Sequence, residues 1–200
     1  MRTIRALFLS AGVALLVFSI PLFLISCRGG DSEEKSLVQP PAETQTPELP
    51  QSTTTAGEKG FTCPTFSMGT FGLALFREIN NQRARYSIVF LAPHGCVIYV
   101  AQMRSNDMAS RGYFSHTSPE GETAFSLLDS YRVPHGWAGE NLAKNNYPDS
   151  DTVRVAIRDL MASEGHRANI LSTNYSQMGV AVAFDGAGMK YYTMIFVGPP

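Results

Sequence analysis

From Ala6 to Ser26 the chain runs for 21 residues without a charge, directly behind Arg2 and Arg5. A bilayer-spanning helix needs roughly 20 apolar residues, so this stretch is a targeting element and not part of a folded core. Residues 28–60 contain no aromatic residue and four of the chain's 12 prolines (Pro40, Pro41, Pro47 and Pro50), set among Ser, Thr, Gln and Glu. Such a stretch cannot bury enough apolar surface to offset its ordering entropy, and a disordered tether is expected. Folding is thereby confined to residues 61–200. A domain of that size buries about 65–70% of the surface its unfolded chain exposes and needs no metal to hold a core.

The leader ends in Leu24-Ile25-Ser26-Cys27. An apolar residue three positions before a cysteine, with a small one just before it, resembles the lipobox of bacterial lipoproteins. The resemblance implies a signal peptide over residues 1–27, cleaved before Cys27, with acyl chains on that cysteine. An uncleaved membrane anchor is the alternative. Both place the remainder outside the cytoplasm. Arg28 is not an aspartate, so no inner-membrane retention signal is evident, and the outer membrane is expected in a cell with two. Lys plus Arg total 16 against 17 Asp plus Glu, a net charge of -1. No basic field exists to collect nucleic acid. In an oxidising compartment Cys63 and Cys96 read as one disulfide joining the start of the domain to its second helix; two free thiols are the alternative.

Apolar spacing predicts helices over residues 70–84, 96–111, 124–131 and 150–163. On the first, Phe71, Leu75, Ile79 and Gln82 lie along one side, with Leu73 and Phe76 beside them. On the second, Val97, Val100, Ala101, Arg104 and Met108 repeat at three and four, and Gly112 closes it as a C′ glycine. Val153, Ile157, Leu160 and Met161 face inward on the last. Residues 178–184 and 191–197 alternate apolar side chains around Asp185-Gly186-Ala187-Gly188, the signature of a hairpin. Residues 137–143 are a third strand. Helices at both ends with a small antiparallel sheet late in the chain give an α+β sandwich.

The four histidines are His94, His116, His135 and His166. His116 follows Tyr113-Phe114-Ser115, and His166 stands in Ser163-Glu164-Gly165-His166-Arg167. Between them comes Gly139-Glu140-Asn141. His116, His166 and Glu140 have the chemistry to bind a divalent metal such as zinc, with one position open to water. They equally suit a His–Glu general-base pair, and each histidine alone equally suits a structural role.

An ordered series of short motifs runs through most of the domain. Asn80-Asn81-Gln82-Arg83-Ala84 is followed by the segment from Ala101 to Ala109, then Tyr113-Phe114-Ser115-His116 with Pro119 and Gly121. Gly139-Glu140-Asn141-Leu142-Ala143, Ser163 with Gly165-His166-Arg167, Asn169-Ile170-Leu171 and Met178-Gly179-Val180 come next. Tyr191-Tyr192 and Phe196 close it. The series resembles the bacterial branch of the CAP superfamily, whose domain is also called SCP (cysteine-rich secretory, antigen 5 and pathogenesis-related 1). The resemblance implies an α–β–α sandwich with a small central antiparallel sheet. It also implies a cleft where His116, Glu140 and His166 converge. A glutamate usual at a fourth position is Ser163 here, and Glu164 one residue on is a partial substitute. Leu160 stands where a tryptophan is usual.

The function expected is an extracytoplasmic binding module for a lipid, glycan or peptide, monomeric and tethered to the membrane through Cys27. A metal-assisted or His/Glu hydrolase using the same cleft is the alternative, so catalysis stays open. The chain has no Ser–His–Asp signature, no His-Glu-x-x-His helix and no reactive cysteine pair. Asn141 and Asn169 are expected to satisfy backbone groups, Arg167 to pair with a carboxylate, and Trp137 to pack under the sheet.

Overall fold

The structure, a computed structural model, describes residues 37–39, 63–64 and 66–200. The leader, Cys27 and most of the tether lie outside the described residues. The elements in order are β1 (Leu37–Gln39), α1 (Gly69–Arg85), β2 (Ala92–Pro93), α2 (Gly95–Arg111), α3 (Ala124–Ser130), β3 (Trp137–Asn145), α4 (Thr152–Ala162), α5 (Glu164–Leu171), β4 (Gln177–Phe184) and β5 (Lys190–Gly198). The strands form one sheet in the order β1-β3-β5-β4-β2.

β5 lies at the centre of the sheet and is buried along its whole length, because both of its faces are covered. Successive side chains of a strand point to opposite faces. Tyr192, Met194 and Phe196 accordingly join Leu75 and Ile79 of α1, Leu160 of α4 and Ile170 of α5 in one cluster. Ile195 and Val197 join Val97, Val100 and Ala101 of α2 and Leu127 and Leu128 of α3 in another. This is the expected α–β–α sandwich. Leu160, without a tryptophan's bulk, is fully enclosed in the first cluster.

The hairpin forms as predicted, with β4 and β5 paired from Gln177↔Val197 to Phe184↔Lys190. Asp185 organises its turn by accepting from the N–H groups of Ala187 and Met189. α2 ends at Gly112, whose φ of 71° lets its N–H return to the Met108 carbonyl. The Cys63–Cys96 disulfide is present, with the two Cα atoms 5.2 Å apart, and ties the chain before α1 to the first turn of α2.

Four expectations are corrected. The sheet is mixed, because β2 pairs with β4 in parallel while the other pairings are antiparallel. Leu37–Gln39, inside the segment read as a disordered tether, adds to the edge of β3 with Leu37 opposite Glu140; a backbone ladder needs no apolar run. α5 is a helix that apolar spacing does not announce, since Gly165 and Asn169 weaken the helical signal in eight residues, and Asn169 and Ile170 are instead held by burial. On α1 the buried stripe runs through Leu75 and Ile79 but also takes in Asn80 and Arg83, while Leu73 is exposed. The polar pair has backbone work to do. Asn80 donates to the Leu91 carbonyl and accepts from the Leu91 N–H. Arg83 donates to the carbonyls of Val89, Ile170 and Ser172.

Candidate functional site

Glu140 and Asn141 are neighbours on β3, so their side chains leave the sheet on opposite faces. Glu140 faces the α2 layer. Its Oε2 lies 2.6 Å from Nδ1 of His116, which stands in the connection after α2. Asn141 faces the other layer and donates 2.9 Å to the backbone carbonyl of His166 on α5. One dipeptide therefore positions both histidines, each from its own side of the sheet. Asn169 secures the arrangement by donating to the Asn141 side chain at 2.9 Å and to the Glu140 carbonyl at 3.3 Å. Tyr175 in turn donates to Asn169 at 3.2 Å. Gly139 is required for that last contact, since a Cβ there would sit 2.4 Å from the Tyr175 hydroxyl. The expected backbone roles of Asn141 and Asn169 are thus found.

The other oxygen of Glu140 faces Arg104 of α2, with Nε 3.4 Å from Oε1 and both side chains 1% exposed. Arg104 also donates to the Ser115 carbonyl at 2.6 Å and to the Tyr113 hydroxyl at 3.0 Å. Tyr113 donates onward to Asp107. Burial, and then the bond to Asp107, push the Tyr113 hydroxyl up to about 12. Sequence reasoning places Arg104 on the buried face of α2 but gives it no task. A lone cation in an otherwise apolar stripe is the one signal of it.

With the Glu140 carboxylate accepting, Nδ1 of His116 carries a hydrogen and Nε2 points away from that contact. His166 Nε2 is buried without a hydrogen-bond partner among the described residues. Its pKa lies below the ordinary histidine value, first because burial disfavours the charged ring and then because of His116. His166 is therefore within electrostatic reach of His116, and it is neutral at pH 7.

His116, Glu140 and His166 do not stand as a three-ligand metal set among the described residues. Among the described residues no group of three or more His, Cys, Asp and Glu side chains is arranged to hold a metal ion. Glu140 faces His116 and Arg104. Ser163 is the joint between α4 and α5, half-buried and making no side-chain cap bond. Glu164 is exposed and forms no ion pair with a described residue. Arg167 finds no carboxylate among the described residues; it donates to the Met161 carbonyl. Trp137 packs half-buried against the first core cluster, as expected.

Fold and site together define an α–β–α sandwich with a buried His–Glu–Arg clamp beside a second histidine. Residues 76–196 match the cysteine-rich secretory protein family, and the chain belongs to that CAP family. It is 35% identical over 98 residues to the protein YkwD of Bacillus subtilis (strain 168), covering 49% of this chain and 35% of that one. It is 37% identical over 98 residues to the membrane protein YlbC of the same organism, covering 49% of this chain and 26% of that one. The match therefore spans about a third or less of these curated relatives. Among solved structures, an extracellular protein containing a SCP domain from Bacillus anthracis str. Ames superposes with a TM-score of 0.56 at 33% identity, over 64% of this chain and 40% of that one. An outer surface protein from Borrelia burgdorferi, with TM-score 0.60 and 14% identity over 68% of this chain and 98% of that one, shares the fold.

Proposed function

We propose that the chain is an extracytoplasmic binding module, anchored to the membrane through an acylated Cys27, whose imidazole pair recognises a lipid, glycan or peptide of the cell envelope. The observation that carries this reading is the occupation of Glu140 by Arg104. A histidine that works as a general base must become an imidazolium, and its carboxylate partner helps by stabilising that charge. Here the carboxylate already faces a buried guanidinium. His116 is thereby held in one orientation, and burial keeps His166 neutral beside it. Such a pair suits hydrogen bonding to a bound ligand better than proton uptake.

The envelope location is supported by the charge-free leader ending in Leu24-Ile25-Ser26-Cys27 and by a disulfide suited to an oxidising compartment. The printed names of two relatives, an extracellular protein and a membrane protein, agree with it. The test has two arms on the full chain. Cys27→Ser is expected to release the domain or stall processing; unchanged membrane partitioning with the leader still attached would show a plain transmembrane anchor. Wild type mixed with fractionated envelope lipid, glycan and peptide is expected to return one fraction chemically intact, with retention lost in both His116→Ala and His166→Ala. Turnover of that fraction, abolished by His116→Ala, would establish a hydrolase instead.

A further inference from the structure

We infer that the loop between α1 and β2, tipped by Tyr86, Val89 and Phe90, inserts into the lipid surface of the membrane that holds the chain. These side chains are 56%, 82% and 61% exposed. Of the three other exposed aromatics on the domain, Phe66 leans on Tyr99 and Phe184 on Phe71, while Tyr147 has no ring partner among the described residues. The rings of Tyr86 and Phe90 have no ring partner among the described residues.

The loop does not droop outward for want of structure. Ser87 takes a φ of 58°, and its N–H and that of Ile88 return to the carbonyls of Ala84 and Arg83. Arg83 grips the Val89 carbonyl at 2.8 Å from inside. Asn80 holds Leu91 from both sides. The apolar tip is thus presented by a fixed backbone, so little ordering is lost when it is covered.

Two features select lipid over a protein partner. Residues 83–94 contain no Asp or Glu, and Arg85 is exposed there without an ion partner among the described residues. Apolar side chains with a flanking cation suit an anionic lipid interface, at a depth of about 5–10 Å. β2 also offers an added strand very little. It is two residues long, Pro93 has no N–H, and the Ala92 N–H is taken by the Ser176 carbonyl. The inference rests on the Cys27 anchor for proximity. Nine residues, 28 to 36, separate Cys27 from β1 and reach at most about 30 Å, so even a weakly apolar loop meets the surface at high effective concentration.

The test labels Val89→Cys in the full lipidated chain with a nitroxide, in vesicles of phosphatidylethanolamine and phosphatidylglycerol. With Cys63 and Cys96 linked and Cys27 acylated, the introduced cysteine is the reactive thiol. The control is Ala187→Cys, on the exposed hairpin at the opposite end of β4. Dissolved oxygen is expected to relax the label at residue 89 strongly and a water-soluble nickel chelate weakly, with the reverse at residue 187. Equal nickel access at both positions would overturn the inference, and so would a label at 89 shielded from both reagents, the mark of contact with a second copy. Mass spectrometry of Cys27 keeps the anchor separate. If that cysteine proves unacylated, lipid contact at residue 89 on added vesicles sustains the loop while the anchor falls, and water exposure there overturns the loop.

Discussion

Replacing Glu140 with alanine is expected to cost the domain about 3–5 kcal/mol, the range for removing one partner of a buried ion pair. Arg104 keeps its bonds to Ser115 and Tyr113 in the variant, but its guanidinium stays 1% exposed with no carboxylate beside it. His116 loses its acceptor at the same time. The melting temperature should fall by more than about 10 °C for a domain of this size. Glu140→Gln retains a hydrogen-bond acceptor for His116 and should fall less. Thermal unfolding of the three proteins checks the order. A loss below about 1 kcal/mol for Glu140→Ala would mean that Arg104 is compensated elsewhere and that the clamp is not structural.

Gly179→Ala is expected to do comparable damage for a purely steric reason. Gly179 lies on β4 where α2 crosses it, and a Cβ there would sit 2.3 Å from the carbonyl carbon of Val97 and 2.4 Å from the nitrogen of Ile98. Both atoms are helix backbone, so no side chain can swing aside. α2 would have to lift from the sheet, separating Val97, Val100 and Ala101 from Ala181 and Ile195. We expect a loss of at least about 3 kcal/mol, or failure to accumulate folded protein. Gly186→Ala is the control, since nothing lies within 4 Å of its added Cβ, and surface substitutions of that kind stay within about 0.5 kcal/mol. Similar stability for the two variants would show that α2 and β4 are not in direct backbone contact.

Much of this architecture is legible in the sequence because burial imposes a period. α2 shows it most clearly: Val97, Val100, Ala101 and Met108 are all enclosed. The Asp185–Gly188 turn between two alternating runs defines the hairpin through local chemistry alone. The site is legible differently. Periodicity cannot bring His116, Glu140 and His166 together across the chain; the ordered motifs do so by resemblance. What stays hidden depends on three-dimensional partners. Arg104 is indistinguishable from a snorkelling surface cation until its partners are known. Arg83 serves carbonyls from three separate places in the chain. The division of labour in Glu140-Asn141, one residue for each layer, follows from strand alternation but needs a known strand with both faces covered. In the sequence the carboxylate reads as a metal ligand; its contacts with Arg104 and His116 emerge only in the fold.

The central claim is that an Arg104–Glu140 clamp fixes His116 through a hydrogen on Nδ1, beside a neutral His166. Nitrogen-15 NMR of the imidazoles as a function of pH tests it most directly. At pH 7 His116 should carry its hydrogen on Nδ1. His166 should be neutral and take up a proton only below the ordinary histidine value of about 6.5. The unfolded chain gains that proton first, so stability is full above this value and declines as the pH falls through it. In Glu140→Gln the Nδ1 tautomer preference of His116 should weaken. A His116 without a hydrogen on Nδ1 at neutral pH, or a His166 that charges above about 6.5, would contradict the account.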